Sequence, residues 1–336
     1  MKKQKINIGI IGFGRIGRMH VENIIQNFPM INIKGLIDPK ANKEILNLLE
    51  DQDDLHDNID NLLSDETIEA VIICSPTPTH YALIKKCGKH KKHIFCEKPI
   101  SFSKNEIEEI IDIMHKEKIL IQIGLNRRFD NDFMLMKKKV DEGLVGKVHM
   151  IHITNHDANM PSLKFLESSG GMIFDLCIHD FDMLNFITGQ KIKEIFVNGG
   201  IFIEPQLKNI KDIDNALITI ELENGILCSI DSSRQTHYGY DQRIEVFGSK
   251  GALSVDNERE NLCFFSDHKS TKASKIKYSF VERFKQSYIN ELEHFFECVA
   301  SKTSPGVGPE EILFAVRAAI AGTKSLETGQ PQRVQK

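Results

Sequence analysis

Residues 5–38 read KINIGIIGFGRIGRMHVENIIQNFPMINIKGLID. The run KINIGII (5–11) is β-branched and almost wholly apolar, the composition of a strand buried on both faces. Gly12, Phe13, Gly14, Arg15, Ile16 and Gly17 follow as G-x-G-x-x-G, and a helix-like segment then runs to about Gln26, where Pro29 closes it. INIKGLID (31–38) is a second strand ending on an acid. A strand, a glycine turn, a helix and a strand ending in a carboxylate make up the dinucleotide-binding arrangement. Gly12 permits the tight turn, Gly14 lets the backbone approach a pyrophosphate, and Gly17 lets helix and strand pack closely. The helix N-terminus adds free N–H groups and positive partial charge. A carboxylate at Asp38 accepts hydrogen bonds from a ribose 2′-OH and repels a 2′-phosphate, which points to NAD over NADP. Lys40 lies near enough in sequence to blunt that preference, and the alternative for Asp38 is a cap on the following helix.

The same rhythm continues outward. IEAVIICS (68–75), HIFCE (93–97) and ILIQIG (119–124) read as buried strands. ANKEILNLLE (41–50), DNIDNLLSD (57–65), THYALIKKCGKH (79–90) and KNEIEEIIDIMHKEK (104–118) read as the helices between them. Apolar strands alternating with helices predict a doubly wound parallel sheet covered on both faces. After Gly124 the pattern changes. A helix (127–143), a strand (147–156) and a further helix (169–189) precede a series of strands from Lys191 to about Phe280, separated by turn signals such as ENG and GSKG. That series predicts a large, mostly antiparallel open sheet. Two helices, 284–301 and 308–327, end the chain. Several strands (NALITIEL, GILCSI) are apolar on both sides, which points to a subunit interface on the sheet. The expectation is thus an α/β Rossmann domain over 1–124 and an α+β domain for substrate binding and oligomerisation over 125–336.

Composition narrows the function. A chain of 336 residues is too long for most single cores. The formal net charge of -4 offers no global basic field for nucleic acid. Seven cysteines, none in a C-x-x-C pair, favour free thiols over a disulfide framework or a cysteine zinc site. The N-terminus lacks the long apolar run and small-residue cleavage site of a signal peptide, and no stretch approaches ~20 apolar residues, so a cytoplasmic protein without a membrane span is expected.

Two further stretches carry chemistry. Glu97-Lys98-Pro99 ends the fourth strand, and carboxyl ends of strands in such sheets face the ligand crevice. SGGMIFDLCIHDFDMLNFITG (169–189) is apolar enough for a core helix, yet it carries Asp175, His179, Asp180 and Asp182. On one continuous helix, Asp175, His179 and Asp182 would fall within about 60° of one another, forming a polar stripe opposite an apolar arc. Such a stripe is either solvated or the wall of a site. No metal-ligand spacing accompanies it, so no metal is expected. Ser75, Thr77 and His80 follow the third strand and are expected, with Glu97 and Lys98, to line the cofactor cleft. Arg127 follows the fifth strand; it reads either as a substrate contact or as an inter-domain salt bridge.

GIIGFGRIG, the strand-ending Asp38, CSPTPTH (74–80), EKPIS (97–101) and GLNRRFD (124–130) together resemble, in order and over nearly the whole chain, the glucose–fructose oxidoreductase/inositol dehydrogenase (Gfo/Idh/MocA) superfamily. Within it, the 169–189 segment and YGYDQRIEVFGSKGAL (238–253) are similar to the inositol 2-dehydrogenases. The resemblance implies NAD-dependent oxidation of myo-inositol to 2-keto-myo-inositol. Lys98, Asp175 and His179 match the family's catalytic lysine, aspartate and histidine, the histidine acting as general base. Arg127, His156, Asp157 and Tyr238 are then candidates for polyol contact, and the Lys98–Pro99 bond is expected to be cis. The resemblance further implies a homo-tetramer built through the C-terminal sheet. Where many relatives have an Arg-Asp-Pro-like turn this chain has His156-Asp157-Ala158, which leaves the polyol open. The alternatives are a scyllo-inositol or pyranose dehydrogenase of the same superfamily, a non-catalytic NAD-binding regulator, and NAD-assisted glycoside cleavage.

Overall fold

The computed structural model describes residues 5–39 and 58–335. Lys40 and the expected helix at 41–50 lie outside the described residues. The elements run β1 (Ile6–Ile11), α1 (Arg15–Asn27), β2 (Ile31–Ile37), α2 (Ile59–Ser64), β3 (Ala70–Ile73), α3 (His80–Lys89), β4 (His93–Glu97), α4 (Lys104–Glu117) and β5 (Ile121–Gly124). There follow α5 (Asn131–Asp141), β6 (Val148–His156), α6 (Leu163–Leu166), α7 (Gly171–Asp175), α8 (Ile178–Thr188), β7 (Ile192–Gly200), β8 (Asn215–Leu222), β9 (Leu227–Ser233), β10 (Asp241–Gly248) and β11 (Gly251–Val255). The chain ends with β12 (Phe264–Ser266), β13 (Thr271–Ala273), α9 (Phe280–Arg283), α10 (Lys285–Ser301), α11 (Pro309–Thr328) and β14 (Gln332–Arg333).

One compact unit spans Met1–Asn126 and Tyr288–Leu313; the other spans Arg127–Ser287 and Phe314–Lys336. The sequence division at residue 124 placed 288–313 in the second domain. The structure places these residues in the first unit, and the reason is apolar burial. Leu292, Phe295, Phe296 and Val299 of α10 join Ile6, Ile8 and Ile10 of β1, Val21 and Ile24 of α1, and Phe95 of β4 in one core cluster. A helix at the end of a chain carries no sequence mark of which distant core will take its apolar face.

In the first unit the sheet order is β2-β1-β3-β4-β5, all parallel. β3 and β5 are buried at every residue, as strands covered on both faces must be. In this sheet β1 lies between β2 and β3, so the chain reverses direction across it, and the carboxyl end of β1 is where such sheets take a dinucleotide.

The second unit holds a seven-stranded sheet of order β11-β10-β6-β9-β8-β7-β14. All neighbours are antiparallel except β6 and β9, which pair in parallel, so the sheet is not a simple meander. β8 and β10 alternate buried and exposed residues, the mark of a sheet covered on one face. The covered face carries Ile151, Ile153, Ile195, Val197, Ile218, Ile230 and Val246. Gly322 of α11 approaches so near that an added Cβ would stand 3.3 Å from the Ile195 side chain. The series of strands expected up to about Phe280 includes, at its end, NLCFFSD (261–267) and KIKYSF (275–280). The first gives only β12, paired with β13 in a separate ribbon, and the second gives one isolated bridge, Arg259 to Ile276. Leu262, Phe264 and Phe265 point outward there, so their β propensity is not backed by burial. No helix among the described residues is long and apolar enough to cross a membrane.

Candidate active site

The glycine turn of the first unit behaves as its residue types require. Gly12 has φ +94°, and a Cβ there would lie 2.5 Å from the Ser75 main-chain nitrogen. At Gly17 a Cβ would lie 2.1 Å from the Gly12 carbonyl oxygen, so helix and strand touch only because it has none. Around Gly14 nothing lies within 4 Å of such an atom. Gly14 is the N-cap of α1 and supplies no side-chain cap to the first-turn N–H groups. This is the cradle a pyrophosphate fits. Asp38, just past β2, accepts a 2.6 Å hydrogen bond from the Phe13 N–H, which ties the acid to the turn. Arg15 is exposed, and Phe13 and Ile16 are half-buried.

Beyond β3, Ser75 Oγ lies 2.6 Å from Thr79 Oγ1, and Thr77 starts the short turn that leads into α3. His80 is 1% exposed and its ring nitrogens lie 2.6 Å from the Ser75 carbonyl and 2.9 Å from the Pro99 carbonyl. It staples the β3 turn to the Glu97-Lys98-Pro99 turn. A neutral imidazole donates to only one of two carbonyls. Burial nonetheless holds its pKa below the ordinary histidine range. The Lys98–Pro99 peptide is cis, as expected. Glu97 Oε1 lies 2.8 Å from His20 Nε2, and Glu97 Oε2 accepts from the Lys98 N–H at 3.3 Å.

In the second unit the 169–189 segment is not one helix. The N–H of Cys177 reaches back five residues to the Met172 carbonyl at 3.1 Å, so α7 ends at Asp175 and α8 begins at Ile178. Within 172–184 only Asp175 and His179 escape full burial. Asp182 does not share their stripe: it is buried and takes a two-pronged bond from Arg128, at 2.9 Å from Nε and 2.6 Å from Nη2. Asp180 is also buried, bonded by Arg127 Nη1 at 2.6 Å and by Asn155 Nδ2 at 2.6 Å. Arg127 is thereby committed. It is 3% exposed, reaches the Tyr240 hydroxyl at 3.2 Å, and pairs with Asp180 inside the second unit.

Asp175 has a backing that the sequence did not disclose. Arg234 Nη1 bonds its carboxylate at 3.0 Å, and Arg234 is 0% exposed. On the other side of the guanidinium lies Asp212, which accepts from the Met172 and Ile213 N–H groups at 2.8 and 2.9 Å. The only sequence signal for Arg234 is a lone cation at the end of a buried strand. A second polar group forms at the β6–β9 end. His156 Nε2 lies 2.5 Å from Asp231 Oδ1, its Nδ1 lies 3.4 Å from the Tyr238 hydroxyl, and Tyr238 donates to Asp241 at 2.8 Å. Burial raises the Asp231 pKa, but hydrogen bonding and charge from His156 outweigh it, and the carboxyl sits below its usual range. Burial and Asp241 push the Tyr238 phenol up to about 12. The Asp157 N–H bonds the Ser233 carbonyl at 2.9 Å, which fixes the turn after β6. Lys98 belongs to the first unit, and Asp175, His179, His156 and Tyr238 to the second.

Comparison with known proteins adds the family. A family model described as an oxidoreductase family with an NAD-binding Rossmann fold matches residues 6–125, and one for the GFO/IDH/MocA C-terminal domain matches residues 133–254. The chain is 38% identical to a myo-inositol 2-dehydrogenase of Thermotoga maritima, over 96% of both chains. It is 30% identical to an NAD(+)-dependent scyllo-inositol 2-dehydrogenase of Bacillus subtilis, over 98% of this chain and 96% of that one. Among solved structures, scyllo-inositol dehydrogenase of Lactobacillus casei with bound NAD(H) and scyllo-inositol superposes with a TM-score of 0.91 at 25% identity, covering 98% of this chain and 99% of that one.

Proposed function

The chain belongs to the GFO/IDH/MocA family of NAD-binding oxidoreductases, and from that premise we propose that it oxidises myo-inositol at its axial hydroxyl to 2-keto-myo-inositol. One observation carries the reading. In an otherwise buried stretch, Asp175 and His179 alone remain reachable, and a fully buried Arg234 stands behind the acid. The acids with no chemical task, Asp180 and Asp182, are each matched by an arginine and sealed. NAD held at the Gly12–Gly17 turn supplies the acceptor for the carbinol hydride.

On this reading His179 takes the hydroxyl proton, since imidazole is the side chain suited to proton exchange near neutral pH. Asp175 orients that ring and stabilises the imidazolium as it forms, while Arg234 holds the carboxylate in place. Lys98 donates to the reacting oxygen and favours alkoxide character. His156, Asp157 and Tyr238 contact the remaining hydroxyls. A site built to bond hydroxyls rejects analogues that lack them. Asp38 favours NAD over NADP. The assembly is a cytoplasmic homo-tetramer through the open sheet face, where Phe247, Met150 and Leu227 form a cross-strand row at 43%, 50% and 56% exposure. The deciding experiment is an initial-rate panel of myo-inositol, scyllo-inositol and glucose with NAD, followed as NADH absorbance. The reading expects myo-inositol to lead. A lead for scyllo-inositol or glucose reassigns the substrate, and binding of NAD with no polyol turnover refutes the enzyme.

A further inference from the structure

Behind the Lys98 turn lies a cluster that the proposed chemistry does not use. His20 of α1, Glu97 at the end of β4 and Glu291 of α10 bring one ligand-type atom each to within 4.8 Å of one another. His20 and Glu291 are both 0% exposed. Glu97 is bonded on both oxygens, by His20 at 2.8 Å and by the Lys98 N–H at 3.3 Å. Neither carboxyl oxygen of Glu291 has a hydrogen-bond partner among the described residues, although the Gln122 amide donates to its main-chain carbonyl at 2.7 Å. The Cys74 thiol, just past β3, lies close enough to feel the charge of Glu291, and Tyr288, one turn earlier on α10, sets its ring 5.8 Å from that of His20. Burial drives the Cys74 thiol well up, so it stays neutral and adds no charge of its own.

Two carboxylates in one buried space cannot both ionise without a compensating cation. A metal ion is one compensation. However, a metal-bound histidine nearly always donates its second ring N–H, and His20 Nδ1 has no partner among the described residues. We propose that Glu291 is a positioning residue that keeps its proton at neutral pH, so that Glu97 alone is negative and holds the Lys98 amide. Burial first and the Glu97 charge second push the Glu291 carboxyl well above its usual range, which agrees with the geometry. Ionising Glu291 would set it against Glu97 and draw that carboxylate away from Lys98. The inference rests on the proposed role of Lys98 for its meaning, but its test does not require turnover.

The test compares the full chain with Glu291→Gln, an amide that cannot titrate. An unfolded glutamate ionises above ~4.3. Where the folded one stays protonated, wild type loses stability as pH rises and the variant does not. The ratio of their unfolding constants should therefore rise about tenfold per pH unit between pH 5 and the folded pKa. Hydrogen exchange at the Lys98 amide should show wild-type protection falling relative to the variant once Glu291 ionises. Should the variant fail to fold, the protonated-carboxyl stretch of glutamate-labelled wild type at pH 7 in the infrared reads the same proton. A pH-independent stability ratio, an absent carboxyl stretch, or a wild-type melting point that drops with chelator overturns the proton. Equal Lys98 protection at every pH overturns the positioning role. Failure to oxidise any polyol would strike the proposed function alone.

Discussion

Replacing Arg234 with methionine removes a guanidinium and keeps most of its bulk. Its Nη1 lies 3.0 Å from Asp175 Oδ2 and its Nη2 lies 3.5 Å from Asp212 Oδ2. The second contact is within ion-pair range yet poorly aligned, since neither of those two atoms has a hydrogen-bond partner among the described residues. The cation therefore acts on Asp212 through charge alone and on Asp175 through charge and a hydrogen bond. Deleting one member of a buried pair costs about 3–5 kcal/mol, because the other member is left unpaired in low dielectric. Asp175 is 18% exposed and recovers some hydration, and Asp212 keeps its two N–H donors, so the low end, about 3 kcal/mol, is expected. Urea unfolding at equal m-value measures it. Turnover of polyol should fall as Asp175 swings free, while NAD affinity should hold, since the Gly12–Gly17 turn belongs to the other unit. Arg234→Lys should recover part of the stability, because it restores a charge without the planar fork. A loss below about 1 kcal/mol for the methionine variant would be no larger than an ordinary substitution and would refute the reasoning.

Other outcomes follow from the same geometry. His179→Ala should lower kcat by roughly 10²–10⁴ with the Kd for NAD unchanged by titration calorimetry; equal loss of both would remove it as base. Asp38→Ser should narrow the preference for NAD over NADP in paired initial-rate assays, and an unchanged ratio would show that the acid does not read the ribose. Met150→Glu with Leu227→Glu places two charges side by side on the apolar sheet face and should lower the mass seen by light scattering, whereas an unchanged mass would place the interface elsewhere.

The first unit was legible because its signals are local. A β-branched run before G-x-G-x-x-G states strand, turn and helix within twelve residues; Gly12 and Gly17 meet the steric limits their positions imply, and Gly14 faces open space. The element that sequence could not place was 288–313, since Leu292, Phe295 and Phe296 are apolar at helical spacing toward any core. The hydrogen-bond partners of His80 were hidden for a related reason. A histidine after a buried strand looks like a cleft residue, and only coordinates show the Pro99 carbonyl on its far side.

The acids of 169–189 show the limit most directly. Helical spacing grouped Asp175, His179 and Asp182, yet the structure separates them by partner rather than by angle. Asp182 is answered by Arg128 and Asp180 by Arg127, residues more than fifty positions upstream, while the partner of Asp175 is Arg234, fifty-nine positions downstream. All three are acid–arginine pairs, so pairing alone does not mark a site. The difference is access: Asp180 and Asp182 are closed on every side, whereas Asp175 keeps an open edge beside His179. A buried ion pair that leaves one edge of its carboxylate open holds that group ready for a partner that arrives from outside, and on the proposed function it is this exposure within a sealed segment that separates chemistry from scaffold.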